Sequence, residues 1–369
     1  MRIEHIHLQQ ISLPLRSAFV TAHGITKQRV TTLLTVYLNN GYSGVSELPA
    51  FTDSRYLPET QASTWLTLQQ EIVPLLRHFE FTTPQEVAQY LQRYLRGHQL
   101  ARAAMETAIW AAYALKLKQP LATLIGGAVR PIPVGISLGH YTEWPILVKQ
   151  VKAAVIAGYR RVKLKLTKPA DVDQIVALRQ LYPRLNLMVD ANSAFTLADL
   201  AQLKKLDRLN LKLIEQPLAA DDFVEHAYLQ RQLKTPLCLD ENIHSLADVK
   251  TAAALKSCQA INLKITRVGG LTSALDIAKY CQQHRLLVWC GGMLGSGISR
   301  AFDLALASRP EFTLPGDISA SQRYFEQDVL TQPLTLQQGC LKVAPTPGLG
   351  VQLDRQRVQQ TLKQETWLI

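Results

Sequence analysis

The sequence predicts an α/β chain: a parallel sheet with helical crossovers, either open or closed into a barrel, preceded by a smaller α+β unit. Between Lys163 and Lys264 five short apolar runs each end on a charged residue: VKLKL with Lys163 and Lys165, LMVD with Asp190, LKLIE with Glu215, LCLD with Asp240, and INLK with Lys264. The steps are nearly constant, 25 residues from Lys165 to Asp190, from Asp190 to Glu215 and from Glu215 to Asp240, then 24 to Lys264. One strand of about five or six residues, a helix of about eleven or twelve and two short loops fill such a step. The length of 369 residues also allows a barrel of about 250 residues plus a second, smaller unit.

Residues 1 to about 50 read as antiparallel strands: an alternating first strand, a polar loop from Ser17 to Lys27, the run VTTLLTVYL, and a turn at Asn39-Asn40-Gly41. The loop around Ser17 to Gly24, with Gly24 as hinge, is expected to close over the mouth of the sheet. From Glu59 to Lys118 the pattern turns helical, ending in the Ala-rich ARAAMETAIWAAYALKLK. Residues 1–126 therefore form one α+β unit. PIPVGISLG at 131–139 is the first strand of the second unit, and LLVWCGG at 286–292 and FTLPGD at 312–317 follow the five runs. That makes eight candidate strands over 127–325, the last short and without a convincing helix after it. Residues 326–369 are expected to pack back on the N-terminal unit.

Hydrophobic residues make up 47% and charged residues 19%, the balance of a soluble globular chain. The net charge of +11 raises the question of nucleic acid. The Lys and Arg are scattered, with no run of four and no aromatic-interleaved stripe, so a small anionic carboxylate substrate is the expected partner, not nucleic acid and not a membrane. Oligomeric state stays open, a homo-oligomer included. Cys238, Cys258, Cys281, Cys290 and Cys340 are an odd set without CxxC spacing, so neither a disulfide framework nor a zinc site is expected. No stretch reaches 18 consecutive apolar residues and the start lacks a signal pattern, which predicts a cytoplasmic protein.

The charged strand ends decide what the sheet is for, because such barrels carry their sites at the C-terminal ends of the strands. Lys163 and Lys165 share one face of their strand while Val162, Leu164 and Leu166 take the other. Inward lysines are costly without facing anions, and Asp190, Glu215 and Asp240 supply them. A single Asp at a strand end is most often a helix cap. Here Thr196 with Asp199, and Ser245 with Asp248, fill the capping role. Three carboxylates without His or Cys describe a hard-cation site, with magnesium favoured over zinc. A lysine beside it can act as a base toward a proton next to a carboxylate. For that Lys165 must lose its own proton, and like-charge repulsion from Lys163, with the metal assisting, is expected to depress its pKa.

These residues resemble the enolase superfamily, in particular its muconate lactonizing subgroup, whose pairing of a Lys or His base with magnesium is a standard example of such a site. KxK in VKLKL, DAN in VDAN, EQP in IEQP, DE in LDE and the lysine of NLKITRVGG stand in that subgroup's order. ISLG at 136–139, WCGGM at 289–293 and FTLPGDISAS at 312–321 resemble its o-succinylbenzoate synthase and N-succinylamino acid racemase branches. The resemblance covers nearly the whole chain. It implies a modified (β/α)7β TIM-type barrel with an α+β capping domain built from the N-terminus and the C-terminal tail. It further implies magnesium, or manganese in its place, on Asp190, Glu215 and Asp240; Lys165 and Lys264 as acid/base lysines; and Lys163, Asn192, Glu241, Ser137, Gly292 and Met293 around them. The implied activity is dehydration to o-succinylbenzoate in menaquinone synthesis, with racemisation of N-succinylamino acids or dipeptide epimerisation on the same lysines as alternatives. A barrel that only binds an anion is the reading from another class. The chain departs from the subgroup at Gly295-Ser296-Gly297, where Glu-Thr-Gly is usual, and at Phe195, where Tyr is common.

Overall fold

A computed structural model describes residues 1–21 and 24–369. Strands β1 (Ile3–Thr21), β2 (Gly24–Leu38) and β3 (Ser43–Leu48) form the antiparallel start. Alternation sets their faces: Ile6, Leu8, Ile11 and Leu13 on β1 and Leu34 and Val36 on β2 are fully buried. The expected polar loop from Ser17 to Lys27 is instead the far end of the β1–β2 hairpin, pairing Phe19 with Thr26 and Thr21 with Gly24. Phe19, Val20, Thr21, Ile25 and Thr26 are strand formers, and the stretch reads as polar only because it extends beyond the helices that bury the rest. Ala22 and His23, on which part of the lid expectation falls, lie outside the described residues.

Helices α1 (Gln61–Thr67), α2 (Val73–Leu76), α3 (Pro84–Tyr94) and α4 (Gln99–Lys116) follow, with a π turn at Leu68–Ile72 joining the first two. The Ala-rich α4 lies so close on β3 that a Cβ at Gly44 would stand 2.1 Å from the Ala108 carbonyl oxygen, so only glycine fits there. After α5 (Leu121–Leu124) and the short β4 (Pro131–Pro133) the parallel sheet begins. Its strands are β5 (Gly135–Leu138), β6 (Arg161–Lys165), β7 (Leu187–Asp190), β8 (Ile214–Glu215), β9 (Leu237–Leu239), β10 (Ala260–Leu263) and β11 (Leu287–Cys290), hydrogen-bonded in sequence order. Between them run α6 (Trp144–Ile156), α7 (Val172–Leu181), α8 (Leu200–Asp207), α9 (Val224–Gln232), α10 (Leu246–Leu255) and α11 (Leu271–Gln283). The 312–317 run closes the ring. Phe312 bridges Val288, the Asp317 amide donates to the Cys290 carbonyl (2.9 Å), and the Gly135 amide donates to that of Gly316 (2.8 Å). It makes single bridges and no ladder, as expected of a run containing Pro315, which has no N–H to give.

Val162, Leu164 and Leu166 are buried outward in the layer shared with the helices, while Lys163 and Lys165 face the interior. One layer below the charged ends, Met188, Leu213, Cys238, Ala260 and Trp289 form a separate apolar cluster inside the barrel. Helix α12 (Gly297–Ala307) follows β11. Strand β12 (Cys340–Lys342) pairs with β4, and after α13 (Arg355–Thr361) strand β13 (Leu362–Leu368) adds to β1 as the fourth strand of the antiparallel sheet.

Two carboxylates of the N-terminal unit dock it on the barrel by capping helices. Glu47 accepts from the Ser296 and Ser299 amides (2.9 and 3.2 Å) at the start of α12, and Glu106 from the Leu271 and Thr272 amides (2.6 and 2.8 Å) at the start of α11. Both face the positive end of a helix dipole. No helix among the described residues is long and apolar enough to cross a membrane.

Candidate active site

Of the capping boxes expected at Thr196–Asp199 and Ser245–Asp248 the first is present, its Thr196 amide donating to Asp199 Oδ2 (2.9 Å), while at the second Ser245 Oγ caps the helix by accepting from the Asp248 amide (3.3 Å) and Asp248 Oδ2 accepts from the His244 amide (2.9 Å). Asp190, Glu215 and Asp240 are thereby left for the barrel mouth, where all three are almost completely buried. The Lys163 ammonium lies 3.0 Å from Asp190 Oδ2, 2.9 Å from Glu215 Oε2 and 2.6 Å from Asp317 Oδ2. Lys165 donates to Asp190 Oδ2 (2.6 Å) and Asn192 Oδ1 (2.7 Å). Across the mouth, Lys264 donates to Asp240 Oδ2 (2.7 Å) and to the Tyr56 hydroxyl (2.6 Å). Arg267 pairs with the other oxygen of Asp240. Asn192 donates to Glu241 Oε1 (2.7 Å), and Asn262 donates to Glu215 Oε1 (2.7 Å).

Lys165 and Lys264 line one cavity of about 130 Å³, with Lys163, Asn192, Ser137, Gly292 and Met293 also on its wall. Glu241 stands behind Asn192. The hydroxyl of Ser137 is buried and has no hydrogen-bond partner among the described residues, leaving it free for a ligand. The cap contributes Phe19 and Ile25 from the hairpin end and Phe51 and Tyr56 from the loop after β3. Of the departures, Phe195 is buried in the barrel core. Gly295 lines the cavity, and a Cβ there would lie 2.5 Å from Ser299 Oγ and 3.1 Å from Glu47 Oε2. The cap's own carboxylate thus borders the space where the subgroup carries a glutamate.

Burial, then repulsion from Asp190, pushes the Glu215 carboxyl up to about 8. Burial and Asp240 push Glu241 up to about 7. At Asp240 burial opposes the charge, but Arg267 and Lys264 together outweigh it and hold the carboxyl below its usual range. Among the protein groups alone, the like-charge repulsion expected to lower Lys165 is outweighed. Burial and Lys163 do act to lower it, yet Asp190, with Glu215 behind it, prevails, and the Lys165 pKa lies above the ordinary lysine value. The cause is the 2.6 Å contact with a fully buried carboxylate, which favours the charged form.

Among the described residues no three His, Cys, Asp or Glu side chains stand in metal-ligating convergence. Lys163 lies between Asp190 and Glu215, and Lys264 and Arg267 take Asp240. The donors nonetheless suit a hard cation: three buried carboxylates at neighbouring strand ends, already gathered around positive charge, with Glu241 Oε2 buried and without a hydrogen-bond partner among the described residues.

Sequence reasoning missed Asp317, Arg267, Asn262 and Tyr56. Asp317 ends the eighth strand run, so the charged run ends, followed past the uncharged seventh run LLVWCGG, would have found it. Arg267 sits in the quoted KITRVGG. Tyr56 carries no local signal, since only the docking of the cap brings it to Lys264.

A closed parallel barrel, a cap over its C-terminal mouth, and lysines facing each other across buried carboxylates define an enolase-type architecture. The family models agree: residues 4–126 match the mandelate racemase/muconate lactonizing enzyme N-terminal domain, and 147–357 match the enolase C-terminal domain-like family. The chain belongs to this family. It is 48% identical over 355 residues to an o-succinylbenzoate synthase of Enterococcus faecalis, covering 96% of each chain. It is 36% identical to an N-succinylamino acid racemase of Thermus thermophilus, covering 96% of this chain and 95% of that one. A solved enolase superfamily member from Listeria innocua superposes with a TM-score of 0.97 at 42% identity, over 100% of this chain and 99% of the other.

Proposed function

We propose that the chain is a carbon–oxygen lyase that converts 2-succinyl-6-hydroxy-2,4-cyclohexadiene-1-carboxylate to o-succinylbenzoate, a step of menaquinone biosynthesis. The observation that carries this reading is the placement of Lys165 and Lys264 on opposite sides of one cavity, each held by a different buried carboxylate. Magnesium or manganese, held by Asp190, Glu215 and Asp240, would supply positive charge to the substrate carboxylate and to the enediolate derived from it, and would draw on the Asp190 charge that keeps Lys165 protonated. Lys165 takes the proton from the carbon next to the carboxylate. The ring hydroxyl leaves from the same face, the Lys165 proton goes to it, and water departs. The electron pair of the broken C–H bond becomes the double bond that completes the aromatic ring. Lys264 stays charged, fixed by Asp240 and Tyr56, and stabilises the developing negative charge. Phe19, Phe51 and Met293 keep water from the reacting carbon. A cytoplasmic setting is supported by five cysteines that are all free thiols.

The same opposed pair supports a second reading, racemisation of N-succinylamino acids, in which each lysine takes the proton from one enantiomer and returns it to the other. Exchange in deuterium oxide tests both. Lys264→Ala is expected to abolish racemisation while the enantiomer facing Lys165 still exchanges, and Lys165→Ala is expected to leave the opposite enantiomer exchanging. For the dehydration both changes are severe, but only Lys165→Ala removes the base. Exchange of both enantiomers by Lys264→Ala would overturn the two-sided assignment.

A further inference from the structure

The opposite end of the barrel carries a second cavity, of about 220 Å³, which the catalytic reading leaves unused. Residues two positions below the catalytic ones share their inward parity, so beneath Lys163 comes Arg161, beneath Asp190 comes Met188, and beneath Glu215 comes Leu213. These three line the lower cavity together with Trp289, and Arg160 and Lys212 stand exposed at its rim. Among the described residues its lining contains no carboxylate.

Arg161 is the informative residue. It is 4% exposed, its Nε and Nη2 donate to the Pro315 carbonyl (3.2 and 3.0 Å), and Nη2 also donates to Asp317 Oδ1 (2.6 Å). Gly135 makes room for it, since a Cβ there would lie 2.7 Å from the guanidinium. Its Nη1 is buried and has no hydrogen-bond partner among the described residues. The guanidinium also lies over the Trp289 ring at 4.9 Å, but a buried N–H of a charged group left without an acceptor remains costly. Its nearest anion, Asp317, is shared with Lys163 at 2.6 Å, so one carboxylate serves two buried cations. The rim adds two more positive charges.

We propose that this N-terminal mouth of the barrel is a second ligand site for a small carboxylate with an apolar body, such as an aryl carboxylate. The carboxylate takes Arg161 Nη1, with Lys212 and Arg160 around it, and the ring rests on Met188, Leu213 and Trp289. The room suffices, because an apolar cavity of about 150 Å³ accepts benzene. Inorganic phosphate fits the cations but not the floor, where its hydration would be stripped against apolar side chains. The site also has a route to the catalytic mouth. An anion drawing on Arg161 loosens its hold on Asp317, and Asp317 is a partner of Lys163, which bridges Asp190 and Glu215. The proposal stands whichever of the two reactions the upper site performs.

The test uses the full chain, benzoate and 4-bromobenzoate as probes, and inorganic phosphate as comparison. Crystals soaked in 4-bromobenzoate are expected to show a bromine anomalous peak against Trp289 and Leu213 in the lower cavity. By calorimetry, Lys212→Glu, a change at an exposed side chain that leaves the fold intact, is expected to weaken benzoate about tenfold through charge reversal at the rim. Arg161→Met is expected to abolish the lower-site binding; should that variant fail to fold, Lys212→Glu and the soak decide alone. Bromine found only in the catalytic cavity, equal benzoate affinity in wild type and Lys212→Glu, or phosphate binding as tightly as benzoate would overturn the proposal.

Discussion

Asp303 offers a quantitative check on the electrostatics of the catalytic cavity. It lies on α12, is 8% exposed and faces the cavity beside Arg300, with the Cys290 thiol against it. Burial pushes its carboxyl from the usual 3.8 up to about 7, with Arg300 pulling the other way and losing. That corresponds to a preference of about 4 kcal/mol for the neutral form. The folded pKa is raised, so between about pH 4 and pH 7 the native state holds a proton that the unfolded chain has released. Stability therefore falls with rising pH across that window and levels off above it. Asparagine cannot ionise. Asp303→Asn should therefore stabilise by about 2 kcal/mol at pH 5 and by about 4 kcal/mol at pH 8. With an unfolding entropy near 2.1 cal/mol/K per residue, these become Tm gains of about 3 °C and about 5 °C. Differential scanning calorimetry at the two pH values reads both. A gain that is equal at pH 5 and pH 8, or larger at pH 5, would refute the buried, proton-holding carboxyl. Kinetics supply a second reading. As Asp303 ionises above pH 7 it repels an anionic substrate, so wild-type KM should rise there, and the KM of Asp303→Asn should rise less, because only Glu241 and Glu215 still ionise over that range.

Magnesium is expected to raise the Tm of the wild type, and Asp190→Asn, Glu215→Gln or Asp240→Asn should each remove both that shift and turnover while far-ultraviolet dichroism is unchanged; full activity after exhaustive chelation would contradict the metal assignment. Glu47→Gln should cost about 1.5–3 kcal/mol in urea unfolding, because it weakens charge-assisted bonds to the Ser296 and Ser299 amides and hydroxyls at the start of α12. An unchanged midpoint would remove Glu47 from the interface.

The sequence makes the barrel and its charged mouth legible for one physical reason. Each strand is buried on both faces and so reads as a continuous apolar run, and each must stop where the chain meets the site. The charged residue that ends it is therefore visible at a fixed period, as at Asp190, Glu215 and Asp240. Asp317 escapes because the run before its own, LLVWCGG, ends on no charged residue, so the period of charged strand ends is broken before FTLPGD is reached. The hairpin end is misread for another reason: of its described residues Ser17, Ala18, Ile25 and Lys27 are exposed and Phe19, Val20 and Thr26 only half-buried, and exposure imitates a loop. The protonation of Lys165 is illegible because it depends on which charge lies nearer. Two lysines two residues apart suggest repulsion, whereas the fold sets Asp190 2.6 Å from the same nitrogen.

Several contacts that complete the site cross between cap and barrel, which bears on the choice between the two proposed reactions. Glu47 and Glu106 pin the cap to the starts of α12 and α11, the helices that follow β11 and β10, and β10 leads directly into Lys264. Arg29, buried among carbonyls, donates to Ala50 (2.7 Å) in the cap and to Leu294 (3.1 Å) in the barrel, and so locks together the two loops that bear Phe51 and Met293. The lysines and carboxylates stand on barrel strands, whereas Phe19, Ile25 and Phe51 stand on the cap. Substrate shape can therefore be altered from the cap without moving a proton-transferring group, with one exception. Tyr56 belongs to the cap and donates its hydroxyl to Asp240 (3.2 Å) while accepting from Lys264, so it joins the two functions. In the dehydration Lys264 need only remain charged, and a fixed Tyr56 serves that. In racemisation Lys264 must also give and take a proton, so the hold of Tyr56 and Asp240 on its ammonium bears directly on which of the two proposed reactions the site favours.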